Sequence, residues 1–339
     1  MFLLHYWIQL LMITNTTKKN KPTILITGSE GSLASWMIEN NLDAFNLIGL
    51  DSCARYSKKN THPSYKLEIG DLCDIKWVNH MFERYRPDYV IHAAAQIYGV
   101  SGFHKYSADI LGINAVSTYS VLNACKKYDV KKISYLSSSM VYERGENSPF
   151  DEKQVETLPC PHTGYGFSKL FGEKLIKEYN EQYNLNYVIW RPFNIVNPYE
   201  SFKDEFGIAH VIPDMIKKIM IDQTPSVEII GNGQQVRCFT WINDVSELIC
   251  KWSWESITDC EEYNIGGETP ITITDLCKII WEKTRKDENF SCYYTKPLKY
   301  DVQKRIPDYS KAQKTFNWKH SKSLEEMIEI CINETKLNV

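Results

Sequence analysis

The chain reads as an α/β protein, an open, doubly wound parallel sheet carrying a smaller C-terminal α/β lobe. Three observations predict this. From Thr23 to Trp190, short apolar runs rich in β-branched residues alternate with helical stretches, the pattern of parallel strands joined by crossover helices. The first run, Thr23-Ile24-Leu25-Ile26-Thr27, passes directly into Gly28-Ser29-Glu30-Gly31-Ser32-Leu33-Ala34 and then a helix. A later run, Lys132-Ile133-Ser134-Tyr135-Leu136, ends in Ser137-Ser138-Ser139, and a Pro-punctuated loop then leads to a helix opening on Tyr165-Gly166-Phe167-Ser168-Lys169.

Taken in order, Thr23–Thr27 is a buried strand, and the Gly28/Gly31 turn after it lets a backbone approach closely. Amides at the start of the following helix can then hold a pyrophosphate, the arrangement of a Rossmann-type dinucleotide site, with Ala34 where a third glycine is usual. The next strand, Asn46 to Leu50, ends in Asp51, 23 residues after Gly28. A carboxylate there accepts hydrogen bonds from ribose hydroxyls and repels a 2′-phosphate, which favours NAD over NADP; Arg55 is the nearby cation that would offset it. Tyr65 to Ile69 reads as a third strand running into Gly70-Asp71-Leu72, placing Asp71 and Leu72 at the adenine end, although Asp71 by itself also suits a helix cap. The fourth, Tyr89-Val90-Ile91-His92, enters Ala93-Ala94-Ala95, where Ala93 and Ala94 are small enough to admit a flat cofactor and equally suit tight helix-sheet packing. His92 ends an apolar strand without a metal partner and is read as a satisfied core residue. Long helices follow from about Tyr106 to Tyr128 and from Tyr165 to Tyr183.

After Arg191-Pro192-Phe193-Asn194 the alternation breaks down. We expect an N-terminal extension over 1–21, an NAD-binding domain over 22–195 plus 243–267, and a substrate lobe over 196–242 plus 268–339. The last helix, Leu324 to Thr335, presents Met327, Ile328, Cys331 and Ile332 at helical spacing, which is a core face.

At 339 residues, 43% hydrophobic and 24% charged, the composition is that of a globular enzyme-sized chain. A net charge of −3 with no basic stripe argues against nucleic acid as a partner. Ten scattered cysteines form no CxxC, which argues against a metal site and for reduced thiols in the cytoplasm. Residues 1–14 are mostly apolar but shorter than the roughly 20 residues of a membrane span. They read as a dispensable extension or an upstream start, with a weak membrane-surface anchor as the alternative and no stable membrane insertion expected.

The chemistry centres on Tyr165 and Lys169. On a helix they lie one turn apart, so an ammonium can favour the ionised phenol, which then serves as a base. The same spacing recurs at Tyr128/Lys132, Tyr199/Lys203 and Tyr300/Lys304, so spacing alone selects nothing. The serine-ended strand upstream is what singles out Tyr165, because groups at the carboxyl ends of strands in an open α/β sheet face the ligand crevice.

Together these motifs resemble the extended short-chain dehydrogenase/reductase family, within it the nucleotide-sugar epimerases and dehydratases, over nearly all of Thr23 to Thr335. Added to the segments above are Arg237-Cys238-Phe239-Thr240-Trp241-Ile242-Asn243-Asp244-Val245, which resembles the family's arginine-to-aspartate strand, and Tyr263-Asn264-Ile265-Gly266-Gly267, which resembles its return to the sheet. The resemblance implies Ser138, Tyr165 and Lys169 as catalytic residues, with Lys169 also binding the nicotinamide ribose and lowering the phenol pKa. It implies sugar-nucleotide contacts at Asn194 and Arg237, and a diphosphate and nucleoside-ribose grip from Arg305 and Asp308. Ser139 is a further substrate contact. It also implies a homodimer formed by pairing the two long helices into a four-helix bundle, for which Tyr119, Val121, Leu122, Leu170, Phe171, Leu175 and Ile176 are the candidate apolar residues.

One departure bears on the reaction. The 4,6-dehydratases carry an Asp-Glu pair after the active-site residue, where this chain has Ser139 and Met140, and a methionine transfers no proton. What remains is the Ser-Tyr-Lys set of a 4-epimerase acting on a nucleotide-diphosphate sugar through a transient 4-keto intermediate. A 4,6-dehydratase with relocated acid/base residues, a decarboxylase and a keto-sugar reductase stay open within the family, as does an NAD-sensing scaffold outside catalysis.

Overall fold

The structure, a computed structural model, describes residues 21–54, 60–97, 100–200, 209–285 and 288–338. Residues 1–20 and Arg55, which entered the sequence reading, lie outside the described residues. Seven strands make one parallel sheet: β1 (Thr23–Thr27), β2 (Asn46–Asp51), β3 (Tyr65–Ile69), β4 (Tyr89–His92), β5 (Lys132–Leu136), β6 (Asn186–Pro192) and, after an excursion, a strand at Glu261–Ile265. From one edge the order is Glu261–Ile265, β6, β5, β4, β1, β2, β3. The chain winds outward from β1 through β2 to β3, then crosses to β4 on the other side of β1. The winding reverses there, so the crevice opens between the carboxyl ends of β1 and β4.

The apolar runs are continuous because both faces of this sheet are covered. Alternate residues serve opposite layers. Leu25, Val90, Ile133 and Ile189 face α2 (Ile75–Tyr85), α4 (Ser107–Lys127) and α5 (Gly164–Tyr183), while Ile24, Ile26, Ile91, Val188 and Trp190 face α1 (Ser32–Asn41) and α7 (Ile242–Trp252). The short helix α3 (Val100–Lys105) precedes α4. Where polar atoms enter these layers they are paired: Trp190 Nε1 donates to Ser134 Oγ at 3.0 Å, and His92 contacts the hydroxyls of Thr27 at 2.7 Å and Thr118 at 3.1 Å. Burial lowers the His92 pKa to about 3, with the Lys169 charge adding to the effect, so His92 is a neutral core residue as the sequence reading expects.

A second core lies beyond the sheet. It joins α6 (Val211–Ile216), α8 (Ile273–Thr284) and α10 (Leu324–Asn338) to the pair β8 (Val227–Ile230) and β13 (Cys292–Thr295), with Met327, Ile328, Cys331 and Ile332 turned inward. Beside it, β9 (Val236–Arg237) is flanked by β12 (Ile271–Thr272) and β14 (Lys304–Arg305). The remaining short pair is β7 (Ile195–Val196) with β10 (Thr240–Trp241), and the late strand of the large sheet is β11.

Three details differ from the sequence reading. The stretch Arg237 to Val245 is not one strand: Cys238 and Phe239 interrupt it, and helix α7 begins at Ile242. Of the range 268–339, the helix α9 (Ser310–Phe316) and Trp318 pack under the large sheet, through Ala312, Phe316 and Trp318. Among the apolar residues offered for helix pairing, Val121, Leu122, Leu170 and Ile176 are buried within the protomer. The large apolar side chains exposed on α4 and α5 are Ile113, Val116, Tyr119, Phe167 and Tyr183.

Candidate active site

A single cleft of about 520 Å³ runs from the β1/β4 crevice to the three-stranded sheet of the second lobe. Its cofactor half begins at Gly28, whose φ of +67° places it in the left-handed region. A Cβ there would lie 2.6 Å from Ala94 Cα and 2.7 Å from Ala94 N, so the turn and the alanine loop are in contact only because residue 28 lacks a side chain. Helix α1 follows with Gly31 as its N-cap and no side-chain cap, which leaves its first amides open at the cleft. Asp51 accepts from Glu30 N at 3.0 Å and Cys53 N at 2.8 Å, fixing an acceptor-only group at the end of β2. Asp71 accepts from Cys73 N at 2.8 Å, and Asp71, Leu72, Ala93 and Ala94 all line the same wall. This half fits a dinucleotide: amides for phosphates, a carboxylate for ribose hydroxyls, and a flat, small-residue wall.

The residues expected to be catalytic, Ser138, Tyr165 and Lys169, line one cleft. Ser138 follows β5 and caps a short 3₁₀ turn, Ser139–Tyr142, by accepting from Met140 N at 3.2 Å. Thr163 caps α5, accepting from Gly166 N at 3.1 Å, and is itself held by Glu143, whose Oε2 accepts from Thr163 N at 3.0 Å and Oγ1 at 3.1 Å. These ties place Tyr165 in the first turn of α5, lining the cleft together with Ser138. Burial pushes the phenol up to about 12, against which the Ser138 hydrogen bond and then the Arg305 charge pull it down. Lys169 is buried; its Nζ donates to Leu136 O at 2.6 Å and lies 6.0 Å from the centroid of the Tyr165 ring. Burial lowers the lysine to about 8, opposed by the Glu173 carboxylate. Arg305 is thus a cation that lowers the phenol, and the Lys169 ammonium stands beside the same ring.

The family model described as "NAD dependent epimerase/dehydratase family" matches residues 24–266. The chain belongs to this family. A protein named "Putative UDP-glucose 4-epimerase" from Methanocaldococcus jannaschii is 32% identical over 323 residues, covering 93% of this chain and 99% of that protein. The human dTDP-D-glucose 4,6-dehydratase is 29% identical over 264 residues, covering 75% and 72%. Among solved structures, the UDP-glucose 4-epimerase from Thermotoga maritima with UDP-glucose superposes with a TM-score of 0.80 at 26% identity, covering 93% of this chain and 99% of that one. As a member of the NAD dependent epimerase/dehydratase family, the protein is an NAD-dependent enzyme.

In this epimerase/dehydratase the other half of the cleft is basic. Arg305 of β14 stands opposite Arg237 of β9 in register. Burial lowers Arg305 to about 9, with the Arg237 charge adding to it, and burial lowers Arg237 to about 10. Asn194, held at φ +40°, donates to Cys238 O at 2.7 Å and accepts from Arg305 Nη2 at 2.7 Å, while Arg305 Nη1 abuts the Met140 sulfur. Arg305 Nε is buried without a hydrogen-bond partner. Two adjacent guanidinium groups with an unused donor make a place for an anion. Ser139 lines the cleft and is buried. The Asp308 carboxylate accepts from Ser310 N at 2.9 Å at the start of α9.

Several cleft residues had no role in the sequence reading. Asn114 is buried, pairs with the backbone of Gln96 and donates to Ser168 Oγ at 3.1 Å, tying α4 to α5. Tyr300 reaches from the second lobe to stack on His162, with ring centroids 4.5 Å apart, and on His104 at 5.9 Å. More than a hundred residues separate Tyr300 from each histidine, so no local pattern announces the stack.

Proposed function

We propose that the protein epimerises a nucleotide-diphosphate sugar at C4 through a transient 4-keto sugar. The observation that carries this reading is the convergence of Ser138, Tyr165, Lys169 and the Arg237/Arg305 pair on one cleft, while Met140 fills the position beside them with a side chain that moves no proton. Tyr165 takes the proton of the C4 hydroxyl and later returns it. Ser138 holds the same oxygen, with Ser139 as a further contact. Lys169 orients the nicotinamide ribose, and Gly28, Gly31, Asp51, Asp71, Leu72, Ala93 and Ala94 hold the rest of the dinucleotide. NAD supplies a hydride acceptor and donor that is restored in every turnover. Arg237 and Arg305 hold the diphosphate firmly while the sugar turns between its two faces, and Asn194 braces Arg305. Asp308 acts behind this set by fixing the segment that follows Arg305. In this reading residues 22–195 with 243–267 bind NAD, and 196–242 with 268–339 bind the sugar nucleotide, except that 309–318 supports the large sheet.

Incubation with UDP-, GDP-, dTDP- and CDP-sugars, with products resolved by mass and NMR, tests this. The expected product is an isomer of unchanged mass, with no net change at 340 nm and NAD(H), not NADP(H), released on denaturation. Loss of water, loss of carbon dioxide or stoichiometric consumption of NADPH would make the protein a dehydratase, decarboxylase or reductase instead.

The exposed side chains Ile113, Val116 and Tyr119 of α4 and Phe167 and Tyr183 of α5 support a homodimer through these helices, since exposed apolar groups are stabilised by burial against a second copy. Sedimentation at micromolar concentration is expected to give twice the chain mass, and Val116→Arg a monomer; a wild-type monomer would count against the pairing. Ten free cysteines, and the lack of any membrane-length apolar helix among the described residues, support the cytoplasm as its location.

A further inference from the structure

Behind the catalytic set lies a buried ion pair that the proposed reaction does not use. Glu173 sits one helical turn beyond Lys169 on α5, and its carboxylate is met by the Arg191 guanidinium in a two-pronged contact, Nε to Oε1 at 2.9 Å and Nη2 to Oε2 at 2.7 Å. Both side chains are essentially inaccessible, at 1% and 0% exposure. Ser137, the residue before Ser138, donates its hydroxyl to the same carboxylate. Arg191 also donates to Tyr142 OH at 3.1 Å and Glu152 O at 3.0 Å. Glu173 thus joins the end of β5, the helix that carries Lys169, and β6.

A buried ion pair seldom stabilises a fold more than apolar residues of similar volume would, so its presence here calls for another role. The titratable and charged groups around the Lys169 ammonium are His92 of β4, Tyr135 of β5, Tyr165 and Glu173 of α5, and Arg191 of β6 behind Glu173. His92 is neutral, and burial keeps the Tyr135 phenol protonated, well above the usual range. Among the described residues this leaves Glu173 as the carboxylate that acts on Lys169.

We infer that Glu173 is a positioning residue that holds the buried Lys169 ammonium in its charged form, and that Arg191 sets the strength of this effect by partly neutralising Glu173. The inference rests on the reading of Lys169 as a group that works protonated. The two members of the pair then have opposite effects on Lys169, whereas in a purely structural pair both substitutions would do the same harm.

Lys169 can be titrated directly in the full-length protein as purified, by NMR of 13Cε-labelled lysine with the signal assigned through Lys169→Met. Glu173→Gln is expected to lower the midpoint by about one pH unit, a tenfold change in proton affinity, and Arg191→Gln to raise it by less, since the guanidinium acts from behind the carboxylate. The alkaline limb of kcat should move the same way in each variant. Shifts of one sign in both variants, or none in either, would overturn the inference. Should a single variant fail to fold by thermal melting, Glu173→Gln/Arg191→Met, which leaves no unpaired charge, decides: a lowered midpoint supports the inference and a wild-type midpoint overturns it. The NMR titration needs no turnover, so a protein inactive on every sugar nucleotide would count against the proposed reaction while leaving this result readable.

Discussion

Tyr165→Phe is expected to lower kcat by at least about 100-fold, the usual contribution of a positioned general base, while NAD remains bound. The substitution removes one oxygen from a residue 4% exposed and keeps the ring that packs with Ile110 and Met140. Ser138 retains the Met140 amide and its place at the end of β5. No cavity forms, so melting temperature and cofactor content should stay near wild type, which separates a chemical defect from a folding one. The pH dependence has a defined sign: in the protein without ligands, burial sets the phenol to about 12, so activity near neutral pH requires the bound state to lower it, and kcat should rise with pH until the phenol is ionised. A Phe variant that keeps more than a few percent of wild-type kcat would remove Tyr165 from the role of base.

Gly28→Ala is the second large effect, and it acts on the cofactor rather than on the proton. The new Cβ would press on the backbone of Ala94 at 2.6 Å, and backbone atoms have no alternative rotamer by which to yield. The φ of +67° adds strain of its own, of order 1–3 kcal/mol for a residue with a side chain. The turn is expected to move away from the alanine loop, opening the wall against which the dinucleotide lies. Calorimetry should show NAD affinity down by at least about tenfold, since 1.4 kcal/mol of the strain suffices for that, together with a lower melting temperature. Wild-type affinity in the variant would mean that this contact does not shape the cofactor site.

The large sheet was legible because its cause is local. Strands covered on both faces must be apolar throughout, and the runs at β1, β2, β4 and β5 could take no other place in a sheet of alternating strands and helices. The glycine turn, Asp51 at the end of β2 and the serines at the end of β5 were legible for the same reason, since each sits at the carboxyl end of a strand whose direction the alternation dictates. The segment from Arg237 to Val245 was misread because two-residue strands are held by partners distant in sequence and leave no period to detect.

By itself the sequence determined the strand and helix alternation, the order of the motifs, and which residue types stand at each strand end. Only the tertiary structure decided what those groups feel. It brought Arg305 to act on the Tyr165 phenol, tied the Asp308 carboxylate to the Ser310 amide, and joined Glu173 to Arg191 behind Lys169. The physical reason is that burial and charge act through space over a few ångströms, and neighbours at that range are brought together by packing between elements far apart in the chain.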